Sequence, residues 1–183
     1  MTGGYRKNGN RVGNDGISAG IGIMQVYVNG SREGMLLGFL FNPGAANDIV
    51  SIAGTMWGVR ENSTVDVGNG HNQVTITGGT EYGLAANASV KAGSGDDIIQ
   101  ITGGKGAMTG SMLNAGDGDN HIAISGGSEF GISSSTILTG SGNDVVKIYT
   151  QDGVALTGNS TLSTGAGEDY VLLRGTVVNS LVD

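Results

Sequence analysis

The residues best placed to do chemistry are carboxylates. Asp96, Asp97, Asp117, Asp119, Asp144, Glu168 and Asp169 lie in or just after glycine pairs, at intervals close to one repeat, so their charges crowd one edge of any stacked structure. A bound cation would relieve that repulsion. The overall balance points the same way: residues 1–60 carry five basic and three acidic side chains, residues 61–183 carry four and thirteen, and the net charge is −7. An acidic repeat body argues against nucleic acid as a partner, because a binder needs Lys and Arg to displace phosphate counterions. It favours divalent cations.

Other candidate groups are aromatic or basic. Trp57, Tyr82 and Phe130 occupy the same place in successive repeats, with Gly106 between the last two. Such a stripe of rings could stack the faces of sugars, or it could cover a short strand beneath it. Gln100, His121, Lys147 and Tyr170 lie on successive repeats as a possible polar strip of the kind a polysaccharide lyase uses, but no carboxylate accompanies them and no catalytic residue is assigned. His71 and His121 are two repeats apart, too far for a shared zinc site. With no Cys, disulfides, thiol catalysis and thiolate metal sites are excluded. Neither a signal-peptide pattern in residues 1–20 nor an apolar run of membrane-spanning length is visible, so no membrane insertion is expected.

The elements that must position these groups come from an internal repeat. Asn47-Asp48-Ile49-Val50-Ser51-Ile52 recurs from His71, Asp96, Asp119, Asn143 and Glu168, at intervals of 24, 25, 23, 24 and 25 residues. A Gly-x-Gly pair precedes each tract after the first. Within a tract apolar residues alternate, as in Val74/Ile76, Ile99/Ile101 and Val146/Ile148, and period two means strand. A second inward column runs Val65, Val90, Leu113, Ile137, Leu162; a third runs Val59, Leu84, Met108, Ile132 and Val154. The chain has 36 Gly and a single Pro, the composition of many tight corners rather than of helices. The expected fold is all-β: a single-domain parallel β-helix (β-solenoid) of about seven coils of 23–25 residues, three strands per coil. Residues 1–23 are read as an N-terminal cap and first partial turn, and residues 24–183 as the repeats. Both column ends would offer strand edges for self-association.

Gly93-Ser94-Gly95-Asp96-Asp97-Ile98-Ile99, Gly140-Ser141-Gly142-Asn143-Asp144-Val145-Val146 and Gly165-Ala166-Gly167-Glu168-Asp169-Tyr170-Val171 resemble the repeats-in-toxin, or hemolysin-type calcium-binding, family. The family's first Gly is replaced here by residues such as Ala92 and Thr139, and Asn72 and Asn120 stand at the Asp position. The resemblance implies Ca²⁺ held between carboxylates and turn carbonyls of a secreted or cell-surface bacterial protein. Its ligands would be Asp97, Asp144 and Asp169, with Asp48 a weaker match and Asp119 assisting. Glycine-turn carbonyls and carboxylates suit Ca²⁺, which takes about six to eight oxygen ligands. The other reading of the same residues is corner chemistry, with each side chain bonding its own turn. The leading expectation is a non-enzymatic scaffold, adhesin or virulence-protein passenger region, calcium-stabilised. The alternative is a carbohydrate-active β-helix of lyase or epimerase type, or a sugar-binding module using Trp57, Tyr82 and Phe130.

Overall fold

Apolar side chains on every second residue cannot be buried by one coil alone; they are buried only when equivalent strands stack, about 4.8 Å apart. The computed structural model does this throughout. It describes residues 3–8, 17–18, 24–30, 32–35, 40–42 and 44–183. Among these there is no helix, and the strands form a parallel β-solenoid of about six turns with partial rungs at its ends.

Each regular coil has three faces. The first carries the alternating tracts, Ile49–Gly54, Gln73–Gly78, Ile98–Thr102 and His121–Gly126, continued by the start of Val145–Thr157 and of Tyr170–Val177. Pairing is in parallel register, with Val50, Val74, Ile99, Ile122, Val146 and Val171 stacked in one column. The second face carries Trp57–Val59, Tyr82–Ala85, Gly106–Thr109 and Phe130–Ser133. The third carries Thr64–Asp66, Ser89–Lys91, Met112–Asn114, Thr136–Leu138 and Thr161–Ser163. Ile52, Ile76, Ile101, Ile124 and Ile148 form a second dry column on the first face, and Val65, Val90, Leu113, Ile137 and Leu162 one on the third. These columns meet as one continuous core. Of the residues read as a cap, Gly3–Asn8 and Ile17–Ser18 add rungs to the two sheets, pairing with Met24–Gly30 and Leu40–Asn42. The rest of that segment lies outside the described residues.

The second-face column differs from the expectation at one level. Ile132 pairs with Leu156, which is fully buried, and Val154 pairs instead with Thr176 of the last coil. The glycine bend that marks this corner is absent there. Other coils bend between the first two faces at Gly78-Gly79, Gly103-Gly104 or Gly126-Gly127, whereas this coil has Thr150-Gln151 and runs as one strand from Val145 to Thr157.

Glycine is required at the corner after the third face. Gly95 and Gly118 sit at φ +121° and +120°, and a Cβ on either would run into the carbonyl of the glycine one coil below, Gly70 or Gly95. No L side chain fits there without moving backbone.

Candidate functional site

The Gly-x-Gly corner delivers two columns of polar side chains, one turned inward and one outward. The inward column is Asp48, Asn72, Asp97, Asn120, Asp144 and Asp169; the first five are buried, at 2% exposure or less. Each from Asn72 onward uses its Oδ1 to accept the backbone N–H of its counterpart one coil earlier. Asp48 N–H donates to Asn72 at 3.0 Å, Asn72 to Asp97 at 2.7 Å, Asp97 to Asn120 at 3.1 Å, Asn120 to Asp144 at 2.9 Å and Asp144 to Asp169 at 2.9 Å. This relay fixes both the side-chain rotamer and the register of the coils.

Asn and Asp then diverge. The Asn72 amide donates to the carbonyls of Gly68 and Gly70, and the Asn120 amide to those of Gly116 and Gly118, so the Asn corners are satisfied. Asp97 and Asp144 make the same Oδ1 contact, which puts Oδ2 where the amide nitrogen stands in the Asn coils, toward the turn carbonyls. Both Oδ2 atoms are buried and have no hydrogen-bond partner. An anionic oxygen beside carbonyl oxygens in a dry corner is costly, and burial accordingly pushes the Asp97 carboxyl up to about 6, against the lowering effect of its hydrogen bonds to Asn72. A proton or a hard cation would resolve the conflict. One carboxylate oxygen with the carbonyls of Gly93 and Gly95, or of Gly140 and Gly142, supplies an all-oxygen donor set of the kind Ca²⁺ takes.

The outward column is Asn47, His71, Asp96, Asp119, Asn143 and Glu168, and its hydrogen bonds run in the opposite direction. Asn47 Oδ1 accepts the His71 N–H, His71 Nδ1 that of Asp96, Asp96 Oδ1 that of Asp119, Asp119 Oδ1 that of Asn143, and Asn143 Oδ1 that of Glu168. The five metal candidates therefore fall on two sides of the turn: Asp48, Asp97, Asp144 and Asp169 inside, Asp119 outside. Asn72 and Asn120 separate Asp48, Asp97 and Asp144 from one another, while Asp144 and Asp169 stand on adjacent coils; among the described residues no group of three or more His, Cys, Asp or Glu side chains converges as a metal cluster would.

The aromatic candidates share the second face. Tyr82 and Phe130, two coils apart, lean across Gly106 and stack with centroids 5.8 Å apart and planes 9° from parallel. A side chain at 106 would collide with the Phe130 ring. Tyr82 also donates its hydroxyl to Glu129 at 3.1 Å; burial, with this bond second, raises its pKa. The Arg60 and Arg32 guanidinium groups lie over the Trp57 ring, 4.4 and 5.7 Å from its centroid. One face of Tyr82 and one of Phe130 are thus engaged by each other, and the Trp57 ring by arginines. The polar strip does not form a single line: His121 and Tyr170 share the register column of Ile98 and Val145, while Gln100 and Lys147 share that of Ala123 and Leu172.

A second buried relay was not anticipated from sequence. At the corner entering the third face, Ser111, Ser135 and Ser160 donate their N–H groups to the hydroxyls of Ser135, Ser160 and Ser180. Each serine follows a residue at positive φ: Gly110, Ser134, Asn159 or Asn179. The signal is present as Asn62-Ser63, Gly110-Ser111, Ser134-Ser135, Asn159-Ser160 and Asn179-Ser180, with Asn87-Ala88 interrupting it. Compared with family models, curated proteins and solved structures, the chain matches none.

Proposed function

We propose that this chain is a non-enzymatic β-solenoid module of a secreted or cell-surface bacterial protein, a rigid column used as scaffold, adhesin or passenger region, and that Ca²⁺ stiffens it at its Asp-bearing turns. The observation that carries the calcium reading is the pair of buried, partnerless Oδ2 atoms of Asp97 and Asp144 in turns whose Asn counterparts place hydrogen-bond donors there. Asp97 with Gly93 and Gly95, and Asp144 with Gly140 and Gly142, would hold the ion. Asp48 and Asp169 occupy the equivalent corners, and Asp119 contributes outside charge. The bound ion would supply the positive charge that the buried carboxylate lacks. Few ligands per turn mean weak binding, which suits the millimolar range of extracellular modules. The structural role draws its support from the corner side chains, which hold one coil to the next through both relays.

Thermal melting in Ca²⁺, Mg²⁺ and chelator tests this. Binding to the folded state alone adds about 2.7 kcal/mol at a hundredfold excess over Kd, so the midpoint should rise with Ca²⁺ and rise less with Mg²⁺, which gives up its waters reluctantly. Asp144→Asn should remove part of the increment. Equal midpoints in Ca²⁺ and chelator, with no heat of binding by calorimetry, would reduce the corner carboxylates to turn formers.

A further inference from the structure

Each sheet of a solenoid has a dry side and a wet side, because successive side chains point to opposite faces. The wet side of the first face is unlike the rest of this surface. Its outward positions, from Gln25, Tyr27 and Asn29 through every coil to Tyr170, Leu172 and Arg174, hold no carboxylate. The chain as a whole has sixteen acidic side chains against nine basic ones. Tyr27, Ile98 and Tyr170, large apolar side chains that are 49%, 43% and 53% exposed, also stand on this face.

Its cations are unusual too. Arg60 pairs with Glu33 and Glu61, and Lys105 with Glu81 at 2.7 Å, whereas among the described residues no carboxylate lies within ion-pair distance of Lys147 or Arg174. These two stand on adjacent coils in adjacent outward columns, since Lys147 pairs with Leu172 and Arg174 with Tyr149. The Arg174 guanidinium lies over the Tyr149 ring, 5.4 Å from its centroid, so its fork is held in place before any ligand arrives. Tyr170 flanks the pair, and Gln100 and Thr102 continue the same two columns along the coil axis.

We infer that this face binds a carboxylate-bearing polysaccharide, with Lys147 and Arg174 holding its acidic groups and Tyr149 and Tyr170 packing against its sugar rings. Charge complementarity carries the choice. Between its charges such a polymer is a row of hydroxyls and ring faces, which outward Gln, Thr, Ser and Tyr side chains can meet. A nucleic acid depends on many Lys and Arg to displace its counterions and finds two here. The acidic outward column of Asp96, Asp119 and Glu168 borders the face at the corner before it. Repulsion from that edge keeps the polymer along the Lys147 and Arg174 columns. The site is separate from the Asp97 and Asp144 turns, and calcium has no part in it.

Calorimetric titration in chelator, which also strips the Ca²⁺ that an acidic sugar holds through its own carboxylates, reads this directly. A short oligogalacturonate is the probe, its methyl ester the uncharged control, and a single-stranded DNA of equal charge the competing class. The acid form should bind, and its affinity should fall roughly sevenfold between about 50 and about 200 mM salt, as two counterion-releasing contacts give. Lys147→Gln and Arg174→Gln should each weaken binding about tenfold, the loss of one hydrogen bond to a charged group, with the melting midpoint unchanged. Lys91→Gln removes the same charge from the third face and should leave the affinity as it is. No binding of the acid form, equal binding of the methyl ester, tighter binding of the DNA, full affinity in both Lys147→Gln and Arg174→Gln, or an equal loss in Lys91→Gln would overturn the proposal.

Discussion

Replacing Asp97 by Asn isolates the central feature of the corner. Asp97 is fully buried, its Oδ1 holds the Asn72 N–H, and its Oδ2 has no donor. Burial raises the carboxyl from 3.8 to about 6, and about two pH units at 1.36 kcal/mol each set the ionised form about 3 kcal/mol against folding. Because the folded value lies above the unfolded one, stability is complete below the unfolded value, falls as pH rises through about 6, and stays reduced above it. Asn carries no charge and can donate to the turn carbonyls, as Asn72 and Asn120 do, while its Oδ1 keeps the relay. In chelator, urea denaturation should therefore find Asp97→Asn more stable than wild type by up to about 3 kcal/mol at pH 8, with the advantage shrinking toward pH 4. Saturating Ca²⁺ should stabilise wild type more than the variant. A variant that is less stable at pH 8, or a difference that ignores pH, would refute the claim that Asp97 is a carboxylate in the place of an amide.

Three further outcomes test the frame. Ile101→Asp sets a charge in the dry column between Ile76 and Ile124; it should cost several kcal/mol and abolish cooperative melting, and an unchanged circular dichroism melt would mean that the register is wrong. Ser135→Ala removes the acceptor for the Ser111 N–H at 3.1 Å and should cost about 1–3 kcal/mol in denaturant titration. Gly106→Ala pushes a methyl against the Phe130 ring, so near-ultraviolet circular dichroism should lose the Tyr82–Phe130 stacking signal, with a loss of about 1 kcal/mol.

The architecture could be read from the chain because it is written in one dimension. Alternating Val and Ile at intervals of 23–25 residues define strands, and recurrence at that interval defines stacking, since coils of equal length bring equivalent residues together. The Gly-x-Gly corners follow from the same count: a tight bend repeated at every level leaves no room for Cβ. Where the Gly-Gly landmark is missing, at Thr150-Gln151, the repeat pattern points to Val154, two residues short of Leu156, which the column contains.

What the tertiary structure decided concerns direction and partners between coils. Asp97 and Asp119 look alike as acidic residues after a glycine pair, but one is the second residue past Gly95 and turns inward, and the other is the first past Gly118 and turns outward. Alternation across the corner separates them, and only backbone geometry says which side is dry. The orphaned oxygens of Asp97 and Asp144 emerge by comparison with the amides of Asn72 and Asn120, which requires hydrogen-bond positions and not merely spacing. Tyr82 and Phe130 share a repeat position, yet their stacking depends on the space that Gly106 leaves one coil between them. Local pattern determines which residues lie in a column; contacts between residues far apart in the chain determine what each column member has left to bind.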